Sequence, residues 1–306
     1  MMIKWGQPFF KNISQVVLLE NTWTGALILI ALWIGNWKVG LAAMVGSALS
    51  LTTAKYFNYS HQEIHAGLAG FNPVLIAIDL TLFLQWSWQA VFIILLSILL
   101  SMPIAQAIKS FLKPLNVPEL TTPFVLITWI VLLMAEQFKF LKTNVSVLPL
   151  TTNINVDLET PFKPIQAFFE NLSQIFLIEH LLTGLLIAIA CLIASRRAGI
   201  YVFIANILGL LLEFVLGADI ATINHGLFGF NLILAIIAVS YTFRSANHLN
   251  PIVAFLLTVL MTPMMYAALA TFFDPIGIPI LTFPFILVTW TLLLAGQPEQ
   301  KESETT

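Results

Sequence analysis

HAGLAGFNPVLIAI (65–78) and NHGLFGFNLILAII (224–237) are two copies of one Gly-Leu-x-Gly-Phe-Asn stretch, each running straight into an apolar segment. They stand 159 residues apart, and two more blocks recur around them in the same order. SQVVLLENTWTG (14–25) matches SQIFLIEHLLTG (173–184) at six of twelve positions, and LTTPFVLITW (120–129) matches LTFPFILVTW (281–290) at seven of ten. Three blocks in one order define two repeats, 1–136 and 170–297, joined by a Thr- and Asn-rich connector at 137–169 and followed by a polar tail at 298–306.

The solvent of these repeats follows from composition. With 59% hydrophobic and 9% charged residues and a mean hydropathy of +0.93, the chain is far more apolar than a soluble domain. It reads as an all-α, multi-pass membrane protein whose outer surface meets lipid. A net charge of -2 leaves no basic face for nucleic acid. The single Cys191 excludes an intrachain disulfide and a cysteine-based metal site. No motif for a cofactor is present. The N-terminal MMIKWGQPFFKNISQ lacks an apolar core followed by a small-residue cleavage site, so it reads as mature sequence.

Apolar stretches fall at about 23–35, 37–54, 67–84, 88–107 and 120–135, then at 181–194, 200–216, 226–239, 252–272 and 281–295. Several are shorter than the roughly 20 residues that cross a bilayer as a straight helix. A further apolar piece, broken at Glu20 and Glu179, precedes the first stretch of each repeat. Short, interrupted helices at matching places point to half-spanning segments around a path inside the membrane. Five crossings per repeat is an odd number, so the second repeat enters upside down relative to the first. A cytoplasmic N-terminus places Lys4, Lys11, Lys55, Lys109, Lys113, Arg196, Arg197, Arg244 and Lys301 inside and Lys38, Lys139, Lys142 and Lys163 outside, in line with the positive-inside tendency. Both termini are then cytoplasmic, in a plasma or inner membrane.

VPELTTPF (117–124) and IPILTFPF (278–285) resemble the paired Leu-Pro-x-x-Thr-x-Pro-Phe signature of the urea transporter family, and the Gly-Leu-x-Gly-Phe-Asn pair and the Ser-Gln-Val-Val segment belong to the same pattern. Val117 and Ile278 replace the first Leu of the signature, and Leu18 stands where the family often has Phe, with Leu177 opposite it in the second repeat. The resemblance implies a homotrimer, each protomer passing urea down its gradient through its own pore between inverted repeats.

Urea is planar and neutral, with one acceptor oxygen and four N–H donors, and stripping its water costs several kcal/mol unless the protein replaces it. A slot that is apolar on its faces and polar along its edges suits it. Phe71 and Phe230, flat and stiff, are the candidate faces, opposed by Leu18 and Leu177 and continued by Leu75 and Leu234 four residues on. Thr121 and Thr282, each two residues before a proline that can occupy a first helical turn, are the candidate edges. The resemblance adds Gln15 and Glu170 at a pore mouth, where inverted geometry brings them to the same part of the path; Glu170 aligns with Lys11 of the first repeat. Glu20 and Glu179 read as caps on the helices that restart after each break.

A proton-coupled transporter of a small amide, using Glu20 and Glu179 as titrating sites, is the alternative. A gas channel with facing histidines fits less well, because His65 aligns with Asn224 and not with His225. An enzyme is not expected: no His-Glu metal motif, catalytic cysteine partner or serine with an aligned base is present.

Overall fold

The protein is described here by a computed structural model covering residues 6–144 and 161–297. The middle of the connector (145–160), the tail (298–306) and two of the lysines counted above, Lys4 and Lys301, lie outside the described residues.

The first repeat contains α1 (Gly6–Ser14), α2 (Thr22–Gly35), α3 (Trp37–Thr53), α4 (His61–Ala66), α5 (Phe71–Phe83), α6 (Trp88–Leu112) and α7 (Thr122–Ala135). The second mirrors it with α8 (Pro164–Ser173), α9 (Leu181–Ala194), α10 (Arg196–Val215), α11 (Ile220–Asn224), α12 (Gly229–Ile237), α13 (Pro251–Phe273) and α14 (Phe283–Ala295). The described residues are thus all-α in their named elements. Three continuous segments, 88–115, 196–215 and 251–276, are long and apolar enough to span a membrane, and two helix pairs qualify only as bent units, α1 with α2 (75°) and α8 with α9 (78°).

Each bend has a local cause. Leu18 and Leu177 take left-handed backbone conformations (φ 58° and 53°), which end the preceding turn of 3₁₀ helix. Asn21 then accepts the Thr24 amide at 3.0 Å to start α2, and His180 Nδ1 accepts the Thr183 amide at 3.3 Å to start α9. Bending folds α1 back onto α2 so closely that a Cβ on Gly25 would collide with the Phe10 carbonyl; Gly184 and the Phe169 carbonyl repeat this in the second half.

The repeats grip each other reciprocally. Thr24 donates to the Ala190 carbonyl (2.9 Å) while Thr183 donates to the Ala31 carbonyl (3.0 Å). Trp129 Nε1 donates to the Pro279 carbonyl and Trp290 Nε1 to the Pro118 carbonyl, both at 2.8 Å. When i meets j and the mate of j meets the mate of i, the two halves are related by a two-fold axis. α5 and α12 are almost wholly buried and largely apolar, the buried polar exceptions being Asn72 and Asp79 on α5 and Asn231 on α12. The outer helices turn large apolar side chains outward, among them Trp33, Phe92, Phe203 and Leu256, as a surface solvated by lipid requires.

The ends of the connector are pinned to these halves. Asn144 Nδ2 donates to the Leu82 carbonyl at 3.0 Å at one end, and Asn224 Nδ2 to the Pro161 carbonyl at 2.9 Å at the other.

Candidate functional site

The motif asparagines build the centre. Asn72, in the first turn of α5, donates to the Leu120 carbonyl at 3.2 Å and accepts the Phe124 amide at 3.2 Å. Asn231 of α12 does the same to Leu281 and Phe285, at 3.1 Å each. Leu120 and Leu281 are themselves left-handed (φ 50° and 55°), a conformation that costs about 1–3 kcal/mol for a residue other than glycine and persists only where its surroundings hold it. Each asparagine thus ties a Gly-Leu-x-Gly-Phe-Asn block to the Pro-Phe block of its own repeat.

The clamps deliver the next residue of each loop to one point. Thr121 and Thr282 cap α7 and α14 without bonding to those helices' own amides. Their hydroxyls meet instead, Oγ1 to Oγ1 at 2.6 Å, both buried. The proline expected in the first turn is there in both helices, Pro123 and Pro284. Two helix N-termini, each with partial positive charge, therefore face each other across a pair of hydroxyls.

Two cavities adjoin the loops that hold this pair, Leu120 lining one and Leu281 the other. The first holds about 970 Å³ and the second about 180 Å³. Their walls are repeat mates: Gln15, Leu18, Leu68, Phe71 and Leu120 line the first, and Gln174, Leu177, Leu227, Phe230 and Leu281 the second. Thr282 also lines the second cavity. Gln15 Nε2 donates to the Ala66 carbonyl and Gln174 Nε2 to the His225 carbonyl, both at 2.9 Å, which fixes each amide beside its leucine and phenylalanine. The rest of the walls differ. Glu20, Glu63, Lys109, Lys113 and Glu119 ring the first cavity, and Glu63 pairs with Lys109. The second carries Tyr266 and otherwise apolar groups.

Several sequence expectations need correction. Leu75 and Leu234 are 1% exposed and line neither cavity; one turn beyond the phenylalanines, α5 and α12 are already enclosed by other helices. Glu20 and Glu179 are not caps. The next residue in each case, Asn21 or His180, has the reach and the extended backbone for that bond, while Glu20 pairs with Lys11 at 2.7 Å and Glu179 with His225 at 3.1 Å. Glu170 does not join Gln15. It sits on α8, buried, and groups with Glu179 and His225 around Gln174, on the side of the second cavity.

Sequence reasoning missed the asparagines and tryptophans, although both were visible as repeated letters inside the matched blocks.

A family model described as urea transporter matches residues 7–297 of this chain. Among curated proteins, Urea transporter 1 of Ovis aries is 28% identical over 290 residues, covering 93% of this chain and 75% of the relative. Urea transporter 1 of Capra hircus shows the same identity and coverage. That of Mus musculus is 27% identical over 292 residues, again covering 93% of this chain and 75% of its own length.

Proposed function

The chain belongs to the urea transporter family, and we propose on that premise that it lets urea cross the membrane passively, through a path that runs from one cavity past the paired threonines to the other. The observation that carries this reading is the matched lining of the two cavities, which reach the loops that bring Thr121 and Thr282 to 2.6 Å of each other. Phe71 with Leu18, and Phe230 with Leu177, offer flat apolar faces at each approach. In the middle, the two hydroxyls exchange their mutual bond for bonds to urea: each can donate to the urea oxygen or accept from a urea N–H. That replaces water where water is stripped away. The opposed helix N-termini tolerate an oxygen and repel cations.

Coupling to protons is the reading that the geometry favours less. Glu20 and Glu179 have side chains 50% and 53% exposed; Glu20 is ion-paired with Lys11, and Glu179 contacts the His225 imidazole. The buried carboxylates Asp79 and Glu213, which have no hydrogen-bond partner among the described residues, line neither of these two cavities. On the same reading the repeats are inverted across a plasma or inner membrane, both termini are cytoplasmic, and the chain assembles as a homotrimer.

Stopped-flow urea flux in proteoliposomes, with and without an imposed pH gradient, tests the mechanism. Flux should be indifferent to the gradient, and uphill accumulation driven by protons would overturn the passive reading. Orientation is read with a thiol reagent on Lys113→Cys, because the native Cys191 is buried; labelling from the outside would overturn the placing of Lys113, and of the first cavity that it lines, on the cytoplasmic side.

A further inference from the structure

The second cavity's approach holds a group of side chains that urea passage does not use. We propose that Glu170, Glu179 and His225 form a binding site for a divalent transition-metal cation of the zinc class. One ligand atom from each lies within 4.8 Å of the other two. His225 Nδ1 is already 3.1 Å from Glu179 Oε2. A tetrahedral ion with bonds of about 2.0–2.2 Å spaces its ligands by roughly 3.3–3.6 Å, so closure requires only side-chain rotation.

Glu170 supplies the independent reason. Its side chain is 5% exposed; Oε1 accepts from Gln166 Nε2 at 2.8 Å, while Oε2 is buried with no partner among the described residues. A buried carboxylate oxygen left unpaired, with a second carboxylate and an imidazole beside it, lacks a cation.

The first repeat indicates what is missing. The mates of Glu170, Glu179 and His225 are Lys11, Glu20 and Ala66. There the cation is built in, as the Lys11 ammonium on Glu20 at 2.7 Å. In the second repeat a carboxylate replaces the ammonium and an imidazole replaces a methyl group, so the fixed ammonium is gone and a metal ion from solution can take its place. Two oxygens and one nitrogen, with a fourth position open to water, suit zinc and its neighbours; calcium and magnesium favour more oxygens and no imidazole.

Gln174 couples the site to the path. Its amide donates to the His225 carbonyl at 2.9 Å and contacts Glu179 Oε1 at 3.4 Å, and it lines the second cavity. A bound cation draws Glu179 away from that amide and narrows the mouth. This consequence, unlike the site, rests on the proposed urea path, and it makes zinc an inhibitor of flux.

The test uses the full chain, zinc ion alone, and two readouts: competition with a chromophoric zinc indicator on purified protein, and stopped-flow urea flux in proteoliposomes. The parent should bind one zinc per chain in the presence of excess magnesium. His225→Ala, which installs the residue of the first repeat, should weaken binding by at least the roughly 10- to 100-fold that losing even an outer partner of a metal ligand costs. Glu170→Gln should do likewise, and Lys11→Met, in the other mouth, should bind as the parent does. Zinc should slow urea flux in the parent and not in His225→Ala, whose zinc-free flux should equal the parent's. Absence of zinc binding in the parent, or parental binding in both His225→Ala and Glu170→Gln, overturns the site. Binding that leaves flux unchanged upholds the site and overturns its control of the mouth. Site-dependent zinc binding by a parent that passes no urea upholds the site and overturns the urea path instead.

Discussion

In the first repeat Asn72 holds Leu120 and Phe124 at 3.2 Å; in the second Asn231 holds Leu281 and Phe285 at 3.1 Å. The glutamine bonds are 2.9 Å in both halves and the tryptophan bonds 2.8 Å in both. At the mouths the agreement stops. One has a Lys11–Glu20 pair and a cavity of about 970 Å³ ringed by charges; the other has Glu170, Glu179 and His225 beside a cavity of about 180 Å³. Even the support of the matched Asn12 and Asn171 differs: Asn12 donates to Ser47 and Ser50, Asn171 to Asn206. The contrast separates two demands. On the proposed path, a central passage traversed from either direction offers the same partners to a molecule arriving from each side, whereas the two mouths face different solutions.

The largest effect should come from the shared close approaches. Gly25→Ala and Gly184→Ala each drive a Cβ into a backbone carbonyl, and each should cost about 3 kcal/mol or more, read as lost yield of folded protein. If one is tolerated, the halves are not packed alike.

Next come the clamps. Asn72→Ala and Asn231→Ala should each destabilise by about 2–4 kcal/mol, because a carbonyl and an amide lose their buried partner. Denaturation in detergent measures this, and a gap of more than about 1 kcal/mol between the two would break the equivalence of the repeats.

Thr121→Val and Thr282→Val should act on flux. One lost hydrogen bond of about 0.5–1.5 kcal/mol, expressed fully in the barrier, slows passage by roughly 2- to 13-fold. The two should slow it equally, since they lose one shared bond. The double valine variant should fold at least as well as either single, because no hydroxyl is left without its mate. Normal flux in both singles would remove the threonines from the path. Phe71→Ala and Phe230→Ala should instead relax selectivity, letting larger amides through, and an unchanged size cut-off would put those rings in the packed core.

The smallest effect belongs to the mouth. Lys11→Met breaks a pair whose glutamate side chain is 50% exposed; stability should fall by at most about 1 kcal/mol, less in high salt. A larger loss would mean that the pair braces the break between α1 and α2.

Much of this design was legible as repeated letters. Periodic apolar stretches and three matched blocks yielded two all-α halves, and the placement of a threonine two residues before a proline marked the helix starts. The asparagine is visible in the motif but its role is not, because nothing local tells which groups 48 to 54 residues further along the chain will need it. The glutamates misled for a related reason. Alignment found them in matching places, but whether Glu20 or Asn21 caps the next helix depends on backbone angles that only the bend sets. Glu170 misled through the two-fold relation itself, which sends equivalent positions to opposite sides of the centre.

The crossed tryptophans also put a clock on biosynthesis. Trp129 is made 150 residues before the carbonyl of Pro279 that it needs, a gap of about 8–30 s at ordinary rates of translation. Through that interval its indole N–H and the hydroxyl of Thr121 have no mate from the unmade half. The N-terminal half must therefore wait, inserted but unfinished, at the site of synthesis. Slowing the ribosome between the halves should lengthen this exposure, and proteolysis of the nascent chain should rise with it.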